Sequence, residues 1–232
     1  MVQVNSAPIN LRIKFQKIGS LQYVSHLDLV RTMNKIIVRA DLPLWYTEGF
    51  NPKPKIVFAA PLSIGTESVT EFVDIRLSEK ISPEEALERI NKNTTEELRG
   101  LKAYYPERKL TDLKWLSYKI KIKTEGANKA LAERSQKTLL GDKLEVEKKT
   151  KSKELVLTDI RPLIKSAEIS FAENELVISC VLSADSSKFL NPEYVVKALK
   201  RNLGILSSGN LANEYYSIMR ECAYLDDMSE FL

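Results

Sequence analysis

Residues 11 to 40 read LRIKFQKIGSLQYVSHLDLVRTMNKIIVRA, and the change of periodicity inside that run decides the fold. Leu11-Arg-Ile-Lys-Phe15 alternates apolar and basic side chains, the period-two pattern of a strand with one buried face. Gly19 and Ser20 interrupt it. Ser25-His-Leu-Asp28 then has the form of a helix start, with Ser25 as N-cap and Asp28 three residues on. Leu27, Val30, Met33, Ile37 and Ala40 follow at helical spacing as the expected buried face, and Pro43 stops the helix.

Working outward, Trp45 to Lys55 forms a loop rich in aromatic residues, Pro and Lys. Lys55 to Ala60 is expected as a short buried strand, Pro61 to Ser68 as a turn, and Val69 to Leu77 as the next strand. Ser82-Pro83-Glu84-Glu85 is a strong helix N-terminus, with an N-cap, a proline at the first position and a glutamate at the third. That helix runs to about Asn91, and Leu98 to Tyr105 closes the set. The order β-α-β-β-α-β is that of a ferredoxin-like split β-α-β unit. The expected class is α+β, an antiparallel sheet with helices on one face.

The second half repeats the theme. Trp115 to Lys123 alternates Tyr118, Ile120 and Ile122 with Lys119, Lys121 and Lys123, so a half-buried strand is expected. Asn128 to Leu140 reads as a helix. Leu144 to Val146 and Leu155 to Leu157 flank a lysine-rich tip, Lys148 to Lys153. Glu168 to Phe171 and Leu176 to Leu182 form a hairpin across Glu173-Asn174. A helix starts at Asn191-Pro192 and ends near Gly204, and Tyr215 to Tyr224 is a final strand. The expectation is two tandem ferredoxin-like domains, residues 1–110 and 111–232, divided in the polar stretch after Pro106.

Composition narrows the function classes. The chain has 232 residues, 44% hydrophobic and 28% charged, enough to bury a core without staples. No apolar run approaches the ~20 residues of a membrane span, and Met1 to Asn10 lacks the layout of a secretory signal. A cytoplasmic protein without a membrane partner is expected. Two distant cysteines, Cys180 and Cys222, and the single His26 cannot supply a zinc site or an iron–sulfur cluster. No metal and no cofactor is expected. Lys and Arg number 35 against 31 acids, a net charge of +4 that permits an anionic partner. No glycine-rich phosphate loop of the Walker or Rossmann type is present.

Three features could carry function. His26, in the first turn of a helix, is the candidate general base; Ser25 and Asp28 beside it are explained by helix capping, and such close neighbours cannot form a nucleophile–base–orienter chain. Arg31, Lys35 and Arg39 recur at a spacing of four and so share one helix face. Trp45, Tyr46, Phe50, Lys53 and Lys55 combine stacking rings with phosphate-neutralising cations, the combination used by single-stranded nucleic-acid sites. Each basic set also has the plainer reading of a solvated surface or a packed loop. The lysine tip is read as a solvated hairpin end.

An ordered run of short motifs carries a family resemblance. It comprises Arg12-Ile-Lys-Phe15, Lys17, Gly19, Tyr23-Val-Ser-His-Leu-Asp-Leu-Val-Arg31, Arg39-Ala40, Leu42-Pro43, Tyr46, Glu48-Gly-Phe-Asn-Pro52, Pro54-Lys55, Pro61-Leu62, Gly65, Glu67, Asp74 and Asp159-Ile-Arg-Pro162. In this order they resemble the radical SAM-linked (radical SAM-associated) proteins of bacteria, over nearly the whole chain and thinning after Asp112. The resemblance implies a partner rather than an activity: a radical SAM enzyme encoded beside the protein or fused to it. This chain lacks a Cys-x-x-x-Cys-x-x-Cys motif, so the radical chemistry is expected on a separate chain. Three expectations follow. The first is a non-catalytic module that binds RNA or ribonucleoprotein for a radical SAM partner. The second is a metal-independent RNA-processing or RNA-modifying enzyme, with His26 as base and Lys53, Lys55 or Arg31 on phosphate. The third is a protein-interaction scaffold.

Overall fold

The computed structural model describes residues 7–149, 154–210 and 212–232. The chain divides into two compact units, Met1–Asp112 with Leu232, and Leu113–Phe231, and each mixes helices with an antiparallel sheet. No helix among the described residues is long and apolar enough to cross a membrane.

The first unit runs β1 (Ile9–Lys17), α1 (His26–Arg39), β2 (Ile56–Phe58), β3 (Thr66–Leu77), α2 (Pro83–Asn91) and β4 (Gly100–Tyr104). Its strands lie in the order β4-β1-β3-β2, each antiparallel to its neighbour. The alternation in β1 sends Leu11, Ile13 and Phe15 to one face, where they join Val73, Ile75 and Leu77 of β3 in the core. Leu29, Met33, Ile36 and Ile37 of α1, its C-cap Ala40, and Ala86 and Ile90 of α2 close that core. Burying an aliphatic side chain of this size contributes about 1.5–3 kcal/mol, so this shared face is what fixes both helices on the sheet.

Two details differ from the sequence expectation. The buried arc of α1 is set by Leu29, Met33, Ile36, Ile37 and Ala40, while Leu27 is 58% exposed and Val30 only half-buried. At about 100° per residue, Leu27 falls roughly 135° from the centre of that arc, so the apolar spacing that began at Leu27 named the wrong edge of the face. The segment after Lys55 is not a buried strand either. β2 spans only Ile56–Phe58 and pairs with β3 at the sheet edge, which leaves Val57 exposed.

The helix starts are as their residues dictate. Ser25 accepts from the Asp28 backbone N–H at 3.2 Å, and Ser82 accepts from that of Glu85 at 3.4 Å with Pro83 in the first turn. Asn91 at the end of α2 clamps Gly100 of β4 from both sides: its Oδ1 accepts from Gly100 N at 2.8 Å and its Nδ2 donates to Gly100 O at 3.0 Å.

The second unit runs β5 (Trp115–Lys123), α3 (Lys129–Leu139), β6 (Glu145–Lys149), β7 (Leu155–Asp159), β8 (Ile164–Ala172), β9 (Glu175–Ser183), α4 (Glu193–Leu203) and β10 (Tyr215–Tyr224). β10, β5, β9 and β8 form an antiparallel sheet in that order, and β6 and β7 form a separate hairpin. With the hairpin set aside, the succession β5-α3-β8-β9-α4-β10 and its strand order repeat those of the first unit. Tyr118, Ile120 and Ile122 are buried as their alternation requires. Glu173 and Asn174 turn β8 into β9 with φ of 52° and 62°, the positive values a tight hairpin turn needs. Gly204 ends α4 at φ 69°. The buried Glu214 brackets the start of β10, accepting from Thr124 Oγ1 at 2.6 Å and from Ser208 N at 2.7 Å. Of the lysine tip, 150–153 lie outside the described residues.

Candidate nucleic-acid interface

The basic stripe of α1 lies where its spacing puts it. Arg31, Lys35 and Arg39 are exposed, opposite the buried arc. They are not equivalent. Arg31 Nη1 meets Asp28 Oδ1 at 3.1 Å, while Asp28 also accepts from Ser25 Oγ at 2.7 Å. The Ser25 hydroxyl first, and Arg31 after it, hold the Asp28 carboxyl below the usual carboxylate range. Exposed pairs of this kind contribute little to stability, but Arg31 is partly neutralised. Among the described residues, Lys35 and Arg39 make no ion pair, so they carry the free charge of the stripe.

The loop after α1 is a closed finger on the sheet edge. Its base is fixed to one residue of β3: Trp45 N donates to Arg76 O at 2.9 Å and Arg76 N donates to Lys55 O at 3.1 Å. Tyr46 bridges to Pro54, Thr47 N donates to Lys53 O at 3.0 Å, and Lys53 N donates to Thr47 Oγ1 at 3.1 Å. Every rung brings the chain back toward its start, so 48–52 project as a tip. Gly49 permits the turn with φ 116°. Phe50 is fully exposed at that tip, Tyr46 is 44% exposed, and Lys53 is exposed. Trp45 is half-buried at the base, with the Arg76 guanidinium 6.0 Å from its ring centroid.

Arg76 is the residue the sequence reading missed. It anchors the finger at Trp45 and Lys55 through its backbone and places a guanidinium over Trp45. The signal was present in the alternation Val73-Asp-Ile-Arg-Leu77, whose polar positions point away from the core. The finger's bonds run to β3 and within itself; among the described residues none joins it to α1. The stripe and the finger therefore stand as two features of one unit.

His26 is half-buried, its ring edge-on to Phe58 at 5.5 Å between centroids, and Phe58 in turn stands edge-on to Phe15. Asp28, the nearest acid in sequence, is committed to Ser25 and Arg31. No hydrogen bond orients the imidazole among the described residues. Its contact with Phe58 is one of aromatic packing. Burial pushes the Cys180 thiol up to about 12, so it is not a ready nucleophile at neutral pH. Among the described residues there is no group of three or more His, Cys, Asp or Glu side chains able to hold a metal.

Residues 10–192 match a family described as an uncharacterized protein conserved in bacteria (DUF2344), and the chain belongs to that family. No curated protein matches it.

Proposed function

We propose that the chain is a cytoplasmic, non-catalytic RNA- or ribonucleoprotein-binding module, serving a radical SAM enzyme on a separate chain and built from two tandem ferredoxin-like domains. The observation that carries the RNA part is the finger on Arg76. It displays Tyr46 and Phe50 to solvent with Lys53 beside them, while Arg76 and Lys55 stand at its base. Exposed rings on a cationic mount offer stacking and phosphate neutralisation together. Lys35 and Arg39 of α1 are a second positive feature of the same unit. The ferredoxin-like reading is supported by the β-α-β-β-α-β succession with strand order 4-1-3-2 in each unit. The radical SAM partner rests on the motif resemblance.

A catalytic reading of His26 is less well supported, because its ring packs against Phe58 and lacks an orienting acid. The experiment is affinity purification of the full chain from its native bacterium, with and without ribonuclease. The expected result is a radical SAM enzyme, identified by mass spectrometry, and protected RNA in one eluate. A radical SAM enzyme without RNA leaves a protein-interaction scaffold and removes the RNA part. RNA without a radical SAM enzyme removes the partner.

A further inference from the structure

The second unit contains a row of cations on α4 that the sequence reading passed over, and Lys148, expected as part of a solvated hairpin end, is instead half-buried against it. Tyr194, Lys197, Lys200 and Arg201 recur at three- and four-residue steps along α4 and so share one side of it. The β6–β7 hairpin faces them with Val146, Glu147 and Leu155, and together they line a cavity of about 690 Å³. That volume falls within the roughly 300–1,000 Å³ of small-molecule sites.

The charges converge. Lys148 of the hairpin and Lys197 of α4 place their ammonium groups 4.9 Å and 5.0 Å from the centroid of the same Tyr194 ring. Lys197, Lys200 and Arg201 line the cavity. On the acidic side, Glu193 reaches Lys197 only at 4.0 Å, and Glu147 is on the wall. Among the described residues, Lys148, Lys200 and Arg201 have no ion-pair partner. Burial draws the Lys148 ammonium below its usual range. Gathering like charges beside a low-dielectric wall is unfavourable, and the Tyr194 ring offsets it for two of the four. An anion in the cavity would offset it for Lys197, Lys200 and Arg201.

We propose that this cavity is a phosphate-binding site of nucleotide size, in which Lys197, Lys200 and Arg201 hold the phosphate oxygens and Val146 and Leu155 wall the remainder of the ligand. Lysine supplies point charge and arginine a planar fork, the two means by which proteins bind phosphate. The phosphate is that of a free nucleotide or of an RNA strand, since both present the same oxygens. The site is built from residues of the second unit alone and does not depend on the finger and stripe of the first unit.

The test is calorimetric titration of the full chain with inorganic tripolyphosphate, with ATP and with a short unstructured RNA. The parent is expected to bind tripolyphosphate. Lys200→Gln with Arg201→Gln, both exposed and so tolerated by the fold, is expected to lose affinity by about tenfold or more, the worth of one or two charge-assisted hydrogen bonds. Lys35→Ala with Arg39→Ala and Lys53→Ala is expected to bind tripolyphosphate as the parent does, which separates this site from the first unit. ATP binding that RNA does not displace identifies a free nucleotide; displacement by RNA identifies a strand. Absence of tripolyphosphate binding in the parent, or equal binding in K200Q/R201Q, overturns the proposal.

Discussion

Arg12 of β1 and Asp74 of β3 lie directly opposite each other across the ladder and close a bidentate ion pair, Nε to Oδ1 at 2.6 Å and Nη2 to Oδ2 at 2.9 Å. The arginine is fully buried, and its Nη2 also donates to the Arg108 carbonyl at 3.0 Å. The pair thus ties the two middle strands of the first unit to the segment that leaves it. Removing one partner strands a buried charge, which typically costs about 3–5 kcal/mol, whereas an apolar pair of similar volume is often neutral. Asp74→Ala is expected to lose about that much in denaturant unfolding. Arg12→Met with Asp74→Leu is expected to lose less than the single change. A single variant as stable as the parent would contradict the structural role given to the pair.

Gly100 is required by packing rather than by its backbone angles. A Cβ there would stand 2.7 Å from Leu87 Cδ1 and 3.1 Å from Asn91 Oδ1, the same amide that clamps the Gly100 N–H. Gly100→Ala is expected to destabilise by about 1–3 kcal/mol through overpacking. Gly126, with open space around its Cβ position but φ 72°, has no such steric conflict. Chemical denaturation of G100A reads the effect, and an unchanged midpoint counts against the close contact of α2 with β4.

Glu214 makes the second unit acid-sensitive. Bonds from Ser208 first and Thr124 next hold its carboxyl down to about 2, from an ordinary 4.5. A carboxylate lowered on folding stabilises above its unfolded value and loses that contribution as pH falls from about 4.5 toward 2. Glu214→Gln is expected to melt below the parent at pH 7, with the gap closing between pH 4.5 and 2. A gap independent of pH would mean the ionised carboxylate is not what matters.

Much of this architecture was legible because local chemistry and global packing agree. Ser25, Ser82 and Asn128 cap the helices they announce, and Glu173-Asn174 makes the turn its residues favour. The face of α1 was misjudged by one edge because Leu27 is apolar yet exposed, and periodicity cannot distinguish an apolar residue at a helix start from one in the core. β2 was read as buried because its residues are apolar, though an edge strand with one partner needs only partial cover. Of the candidate site, the residue types were visible but their mounting was not. Arg76 joins Trp45 and Lys55 only through sheet register, and Lys148 meets the Tyr194 ring only through the fold of the hairpin onto α4.

His26 provides a direct comparison between packing and catalysis. An edge-to-face aromatic pair contributes about 0.5–1.5 kcal/mol, so His26→Ala is expected to lower stability by about that amount and to leave RNA affinity unchanged. Turnover of RNA by the purified chain that disappears in this variant would instead assign His26 a catalytic role.

The central claim is that the first unit binds RNA through Lys35, Arg39 and the finger carrying Lys53. It is tested most directly by measuring affinity for single-stranded RNA across a salt series, for the parent and for Lys35→Ala with Arg39→Ala and Lys53→Ala. Each phosphate neutralised contributes about 0.7 to the slope of log K against log salt for a single strand. The account predicts salt-sensitive binding by the parent, and in the triple variant weaker binding with a slope shallower by about 2, at nearly unchanged melting temperature. Equal affinity and equal slope in the two proteins, or a parent whose binding does not respond to salt, would contradict it.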